Sequence, residues 1–298
     1  MAAAMAGTVG YTYEVEPEWL DVTFVDLPIR GLPFSLLGKR LVQLSDIHVG
    51  PQVADAYIRA TFERVRALAP DIVVVSGDLI SLHPAQQAHA EAIYAALPQG
   101  SLGTFVTFGN HDYGRDWAEP AVAAGLRGAL EDLGITVLVN DVGMAGDLQI
   151  VGMGDLWAGQ FAPERAFSRA DPALAQLVLS HNPDTVDMPG WGAYGGWVLS
   201  GHTHGGQCKP PFLPPPLLPV KNRRYTSGGF ALSRGRQLYI SRGVGTVLPV
   251  RFNVRPEVTV FTLAVPPPFG ETSATPPVRS PTAASLLLAE SVATMQFV

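Results

Sequence analysis

Five short apolar runs set the rhythm of this chain. They are Leu41-Val42-Gln43-Leu44, Ile72-Val73-Val74-Val75, Phe105-Val106-Thr107-Phe108, Leu177-Val178-Leu179 and Trp197-Val198-Leu199. Short continuous runs rich in β-formers predict strands buried on both faces. The alternation in Leu20-Asp21-Val22-Thr23-Phe24-Val25 predicts another strand. Val53, Tyr57, Ile58, Phe62, Val65 and Leu68 recur at helical spacing and predict a crossover helix that Pro70 ends. A second helix is expected over 84–97. A third is expected over 118–133, with Pro120 in its first turn and Gly134 just past its end. From Ile135 onward the pattern changes to strands at 136–139, 148–152, 176–180, 196–200, 238–241 and 258–263, with one helix over 162–168. Two sheets with helices outside them accommodate both halves.

Each of the five runs is followed at once by polar residues of a restricted kind. The segments are Asp46-Ile47-His48, Gly77-Asp78, Gly109-Asn110-His111-Asp112, Ser180-His181-Asn182 and Gly201-His202-Thr203-His204. Ligand sites of open sheets with helical crossovers lie just past the carboxyl ends of the strands. Five strand ends carrying such residues therefore predict one shared site. Carboxylate, imidazole and amide donors suit divalent ions such as Mn, Fe or Zn. No cysteine belongs to the set, which argues against a structural zinc site of the Cys-rich kind. Asp46 and Asp78 bring two negative charges, while neutral histidines and Asn110 bring none. Two divalent cations would leave the site at plus two, or plus one with a hydroxide. Such a site attracts an anionic phosphate and stabilises charge building on its oxygens.

The ordered pattern D-x-H, G-D, G-N-H-D, a lone strand-end His and G-H-x-H resembles the calcineurin-like metallophosphoesterases. The resemblance spans roughly Leu20 to Leu263. G-D alone has little value; the ordered set in its strand contexts is specific. The flanks Gln43-Leu44-Ser45-Asp46-Ile47-His48 and Gly201-His202-Thr203-His204-Gly205-Gly206-Gln207 resemble a bacterial branch. That branch includes membrane-associated phosphodiesterases and enzymes that cleave UDP-2,3-diacylglucosamine. The resemblance implies a four-layer α/β/β/α sandwich of two mixed sheets. It implies two divalent metal ions (Mn, Fe, Zn or Mg). Asp46, His48 and His204 would bind the first, Asn110, His181 and His202 the second, and Asp78 both. It implies attack on phosphorus by a bridging hydroxide. His111 would be the general acid, or a positive partner for the phosphate. Asp112 would orient His111 or cap the next segment; both readings stand. Purple acid phosphatases carry a tyrosine where this chain has Ser81, and protein serine/threonine phosphatases extend G-D into G-D-x-x-D-R-G. Neither feature is present, which disfavours a tyrosinate iron site and a phosphoprotein substrate. The expected substrate is a phosphodiester or pyrophosphate, lipid-linked or a nucleotide–sugar conjugate. The rival is a non-catalytic metal-binding module on the same fold. No G-x-S-x-G occurs, so a serine hydrolase is rejected.

With 47% apolar and 15% charged residues over 298 positions, a large core is feasible. A net charge of −6 argues against dedicated nucleic-acid binding. The single cysteine, Cys208, forbids an intramolecular disulfide, consistent with a reducing compartment. No apolar stretch reaches membrane-spanning length. Residues 1–19 read as an N-terminal extension, 20–264 as the domain, and 265–298 as a Pro-rich tail, disordered apart from a short helix over 284–288. Met1 to Val9 is either a disordered start or the tail of a lost membrane or export segment. The expected location is cytoplasmic, at the inner membrane face.

Outside the motifs, the proline loop 210–219 follows the last motif directly. It reads either as an apolar lip for acyl chains or a membrane surface, or as a loop packed on the protein. Lys221, Arg223 and Arg224 follow it and are candidates for lipid headgroups. Arg242 after a strand end is a candidate phosphate contact, Arg251 a weaker one. His83 and His89 read as solvent-facing, with a substrate contact open to His83.

Overall fold

The computed structural model describes Gly7 and residues 9–81 and 87–267. His83, the first turn of the second expected helix, Met1 to Ala6, and the tail from 268 with its expected helix lie outside the described residues. Twelve strands follow in order: β1 (Asp21–Pro28), β2 (Arg40–Leu44), β3 (Ile72–Ser76), β4 (Thr104–Thr107), β5 (Thr136–Val137), β6 (Asp141–Ala145), β7 (Leu148–Gly152), β8 (Ala175–Leu179), β9 (Trp197–Ser200), β10 (Gly228–Ala231), β11 (Gln237–Ile240) and β12 (Glu257–Ala264). The helices are α1 (Asp55–Ala67), α2 (Gln87–Tyr94), α3 (Pro120–Asp132) and α4 (Pro163–Phe167).

The strands form two six-stranded sheets, ordered β1-β12-β2-β3-β4-β5 and β10-β11-β9-β8-β7-β6. β2 through β5 run parallel, as do β7, β8, β9 and β11. Both sheets are mixed, because β12 runs antiparallel to β2, and β6 and β10 are antiparallel edges. Side chains alternate across each strand and so build three cores. Val42, Leu44, Val73 and Val75 meet Tyr57, Ile58, Phe62 and Val65 of α1 on the outer face of the first sheet. Leu41, Ile72, Val74 and Phe261 point the other way, against Ile150, Leu177, Leu179 and Leu199 of the second sheet. Val151, Val178, Val198 and Leu238 turn outward to Ala166 of α4, Val186 and Trp191. Burial on both faces explains why these strands read as continuous apolar runs. The architecture is the expected helix–sheet–sheet–helix sandwich, with a thin outer layer over the second sheet: α4 is five residues long.

Two strands departed from expectation. β6 and β10 were not predicted, because Asp141–Ala145 and Gly228–Ala231 are edge strands whose residues are mostly half-buried. Residues Tyr11–Glu18 coil against the loop that precedes β12, where Arg251 donates its N–H to the Thr12 carbonyl (3.0 Å). Glu16 is fully buried and accepts from the Val254 N–H at 2.6 Å.

Candidate metal centre

The strand-end loops of both sheets converge. Asp46 N–H donates to the Gly77 carbonyl (2.9 Å), His48 N–H to that of Asp78 (3.0 Å), and Gly201 N–H to that of His181 (3.1 Å). The two sheets are stitched together by the His202 N–H, which donates to Asp46 Oδ1 at 2.9 Å. Five of the converging residues hold left-handed backbone: Asp46 (φ 51°), His48 (51°), Asp78 (53°), His202 (70°) and His204 (49°). Each such non-glycine residue costs on the order of 1 kcal/mol or more, and such strain gathers at functional sites. Gly109 and Gly201 let the loops touch: a Cβ on the first would strike Asp78 Oδ1, and on the second Ser45 Oγ.

Two triads result, Asp46–His48–His204 and Asp78–His181–His202, each with one donor atom per residue within 4.8 Å of the others; His48, Asp78 and His111 form a third such group between them. In the first, His48 Nε2 lies 3.1 Å from His204 Nε2, and His204 Nε2 lies 3.3 Å from Asp46 Oδ1. In the second, His181 Nε2 lies 3.1 Å from Asp78 Oδ2 and 3.3 Å from His202 Nδ1. Asp78 Oδ2 is also 3.6 Å from His48 Nε2, so one carboxylate oxygen faces both triads. All six residues of the two triads are buried. Carbonyls set the tautomers of His181 and His202. His181 gives its Nδ1–H to Ser76 (2.8 Å), freeing Nε2; His202 gives Nε2–H to Pro219 (2.8 Å), freeing Nδ1. Asn110 is buried beside them, and its Oδ1 has no hydrogen-bond partner. A buried acceptor without a donor is costly. A cation between these groups would satisfy it, and the oxygen and imidazole donors fit a divalent ion.

The electrostatics favour a cation. Burial opposes the charge on Asp46, yet His204 and His181 outweigh it and hold the carboxyl low. Burial likewise opposes charge on Asp78, and His181 and His111 outweigh it. Burial works against protonated His181 too, but Asp78 lifts it to about 10. His202, buried next to that positive ring, falls to about 3. A proton on His181 thus stands where a metal would bind. With its titration near 10, His181 is protonated throughout the neutral range, and metal uptake must expel that proton. Metal affinity should therefore rise with pH from 6 to 9. At pH 7.5, about one proton should leave His181 per protein loaded. Titration calorimetry in two buffers of different ionisation enthalpy reads this directly; identical heats in both would contradict it.

His111 sits beside the triads. Its ring meets His48 edge-on (4.8 Å, 89°), its N–H donates to Asp78 Oδ1 (3.0 Å), and its Nδ1–H donates to the Ser81 carbonyl. Asp112 does not orient it. The Asp112 carboxylate accepts the N–H groups of Leu79, Ile80 and Gly109 (2.8, 3.2 and 2.8 Å), so it ties two motif loops together.

The outlying cations behave differently from their expected roles. Arg242 donates to Glu257 and Asp21, both at 3.0 Å. Its guanidinium is spent on joining β1 and β12 instead of reaching a phosphate. Arg223 folds back onto the carbonyls of Pro215 and Pro216 (3.0 and 3.4 Å), bracing the proline loop. Lys221 is anchored through its backbone N–H to Asp184, with its side chain exposed. Arg251 is fully buried and clasps the carbonyls of Arg242, Gly245 and Val254. His89 pairs with Asp55 (2.8 Å) between α1 and α2.

Three residues near the centre escaped the sequence reading. Asp155 is buried at the end of β7, where burial pushes it up to about 6. Trp157 sets its ring edge-on to His202 (4.3 Å, 89°), and Trp117 lies against Trp157 with the ring planes tilted by 33° and the centroids 4.8 Å apart. The signal was present: Met153-Gly154-Asp155 follows the predicted strand 148–152 as the other motifs follow theirs. A cleft of about 650 Å³ opens at the opposite pole, at the starts of β8 and β9; Trp191, Tyr194 and Arg30 line it, and none of the triad residues does.

Comparison with known proteins agrees with this geometry. The chain is 31% identical over 270 residues to phosphodiesterase YaeI of Escherichia coli, spanning 87% of this chain and 94% of that protein. It is 30% identical over 277 residues to the metallophosphoesterase YkuE of Bacillus subtilis (88% and 92%). It is 28% identical over 315 residues to the UDP-2,3-diacylglucosamine pyrophosphatase LpxG of Chlamydia muridarum (88% and 94%). The family model for calcineurin-like phosphoesterases matches residues 39–206, a stretch that runs from the start of β2 through the G-H-T-H turn. With both triads inside that match, the chain belongs to the calcineurin-like phosphoesterase family.

Proposed function

We propose that this metal-dependent phosphoric ester hydrolase works with two divalent cations on a phosphodiester or pyrophosphate bond. The observation that carries the reading is Asp78 Oδ2, placed 3.1 Å from His181 Nε2 and 3.6 Å from His48 Nε2. One carboxylate shared by two triads is the arrangement a two-cation centre needs. Asp46, His48 and His204 hold one ion; His181, His202 and Asn110 hold the other. Bound there, divalent ions supply an acidified water and a positive field for the phosphate. The protein fixes the donors, buries them and keeps bulk water away. His111, with Nδ1–H on the Ser81 carbonyl, keeps Nε2 for the leaving-group oxygen.

The names of two relatives, a phosphodiesterase and a UDP-2,3-diacylglucosamine pyrophosphatase, support a lipid-linked or nucleotide–sugar substrate. The surface supports it too. Phe212, Leu213 and Leu217 are exposed on the proline loop, whose Pro219 carbonyl holds His202. Val247 and Leu248 are exposed on the next loop, which Gln207 ties to the first through Leu248 and Val250. Apolar side chains clustered at a site's mouth favour amphiphilic ligands or a membrane surface. No helix among the described residues is long and apolar enough to cross a membrane. From the exposed apolar side chains we infer a peripheral contact, at the inner membrane face. Deleting Phe212–Leu218 should lower activity on detergent- or liposome-borne esters about tenfold more than on soluble ones. Equal losses would show the lip to be scaffold only.

Hydrolysis of bis(p-nitrophenyl) phosphate tests the reaction itself. Metal-free protein should be inactive, and Mn²⁺, Zn²⁺ or Mg²⁺ should restore turnover. Two tightly bound ions with no turnover on this ester or on lipid-linked pyrophosphates would favour the non-catalytic metal-binding module.

A further inference from the structure

The loop carrying His111 continues into Gly114-Arg115-Asp116-Trp117, where Asp116 (φ 55°) and Trp117 (φ 59°) are both left-handed. A bulky aromatic residue in this region is an outlier, held only where surrounding structure over-determines it. Here the Trp117 N–H donates to Gly114 (3.2 Å), the Ala118 N–H to Arg115 (3.2 Å), and the Arg115 N–H to Glu119 Oε2 (3.1 Å). What the strain achieves is the placement of Trp117 on Trp157. The Trp157 loop is equally fixed. Ala158 N–H donates to Asp155 Oδ1 (2.8 Å), Gln160 N–H to the Asp155 carbonyl (2.8 Å), and Asn140 Nδ2 to the Gln160 carbonyl (2.7 Å). Gly154 N–H in turn donates to Asn140 Oδ1 at 2.9 Å. Two loops from different sheets thus bring two half-exposed indoles together beside a triad histidine.

We infer that Trp117 and Trp157 form an aromatic platform that selects phosphoesters whose non-leaving substituent is flat and π-faced, an aryl ring or a nucleobase. The inference rests on the reaction proposed above, and adds which group the site prefers on phosphorus. The chemistry follows from the pair. Ring planes tilted by 33° at 4.8 Å can be extended by a third plane, and aromatic stacking is sequence-tolerant because every base has a π-face. An aliphatic chain gains contact area from indoles but nothing from their planar order. Rigid indoles also lose little side-chain freedom on binding, so the platform is preorganised.

The test uses esters with one chromogenic leaving group and varied second substituents. Thymidine 5′-(p-nitrophenyl) phosphate, phenyl p-nitrophenyl phosphate, methyl p-nitrophenyl phosphate and decyl p-nitrophenyl phosphate are compared on the full metal-loaded chain. Wild type should prefer the thymidine and phenyl esters over the methyl ester by about tenfold or more in kcat/KM, carried mainly by KM. Trp157→Ala and Trp117→Ala should collapse that ratio, and Trp157→Phe should keep most of it. Binding is read separately, as tryptophan fluorescence quenching by thymidine 5′-monophosphate against methyl phosphate. Quenching by the nucleotide alone, with no ester hydrolysed, would keep the platform and reject the proposed reaction. Equal kcat/KM for all four esters without quenching would overturn the platform. A preference for the decyl ester that the Trp→Ala variants remove would assign the pair to acyl chains and also overturn it. A preference for the thymidine ester but not the phenyl ester would identify a nucleobase as the flat group.

Discussion

Asp78→Asn should lose at least three orders of magnitude in kcat/KM and should no longer hold two metal ions. The change is nearly isosteric, so sterics are not the cause. Asp78 Oδ2 faces His181 and His48 at 3.1 and 3.6 Å, and Oδ1 accepts the His111 N–H at 3.0 Å. An amide keeps one oxygen, replaces the other by a donor, and removes a full negative charge. Two cations held by Asp46 and neutral donors then carry plus three rather than plus two. Two cations held in one buried site with one carboxylate instead of two would repel more strongly. One ion should be lost, and with it the paired stabilisation of attacking and leaving oxygens. A thousandfold loss corresponds to about 4 kcal/mol of transition-state stabilisation. Elemental analysis of the purified variant should find one ion or fewer per chain, beside unchanged far-UV circular dichroism. Wild-type turnover in the variant would refute the shared-carboxylate reading outright.

Which parts of this were legible in sequence follows from burial. β2, β3, β4, β8 and β9 are covered on both faces, so their residues had to be continuously apolar and their ends were easy to mark. The motif residues follow those ends because ligand sites form there. β6 and β10 lie at sheet edges, where one side is open and glycine, aspartate and methionine suffice; no period survived to be read. Long-range partnerships were illegible for another reason. Arg242 finds Asp21 across 221 positions and Glu257 across 15, and nothing near Arg242 announces either carboxylate. The reversed tautomer of His202 depends on the Pro219 carbonyl, a contact fixed by the path of the proline loop. Asp155 is different: it stands just after the predicted strand 148–152, as the motif residues stand after theirs. Glu16 is another long-range case, since its buried carboxylate meets Val254, 238 positions away.

His111→Ala should keep both metal ions, because Asp46–His48–His204 and Asp78–His181–His202 keep all their donors without it, and should lower kcat with little change in KM. The size of the loss should depend on the leaving group. A proton donor matters most where the departing oxygen is basic, so an alkoxide leaving group should lose about 10² to 10⁴. A p-nitrophenolate leaves without protonation and should lose about tenfold or less. The structure explains why this histidine suits the task. Its Nδ1–H rests on the Ser81 carbonyl, which holds the ring in place. Its backbone N–H is fixed by Asp78, so the ring is positioned by the same carboxylate that faces both triads. Asp112 plays no part in this, being committed to three backbone N–H groups. Rates for alkyl p-nitrophenyl and dialkyl phosphates, measured in wild type and variant with metal content checked, decide the matter. Equal losses for both leaving groups would make His111 a positive partner of the phosphate rather than an acid. Loss of metal would show instead that His111 supports the metal centre, as a donor in its group with His48 and Asp78 or through its ring contact with His48, 4.8 Å between centres.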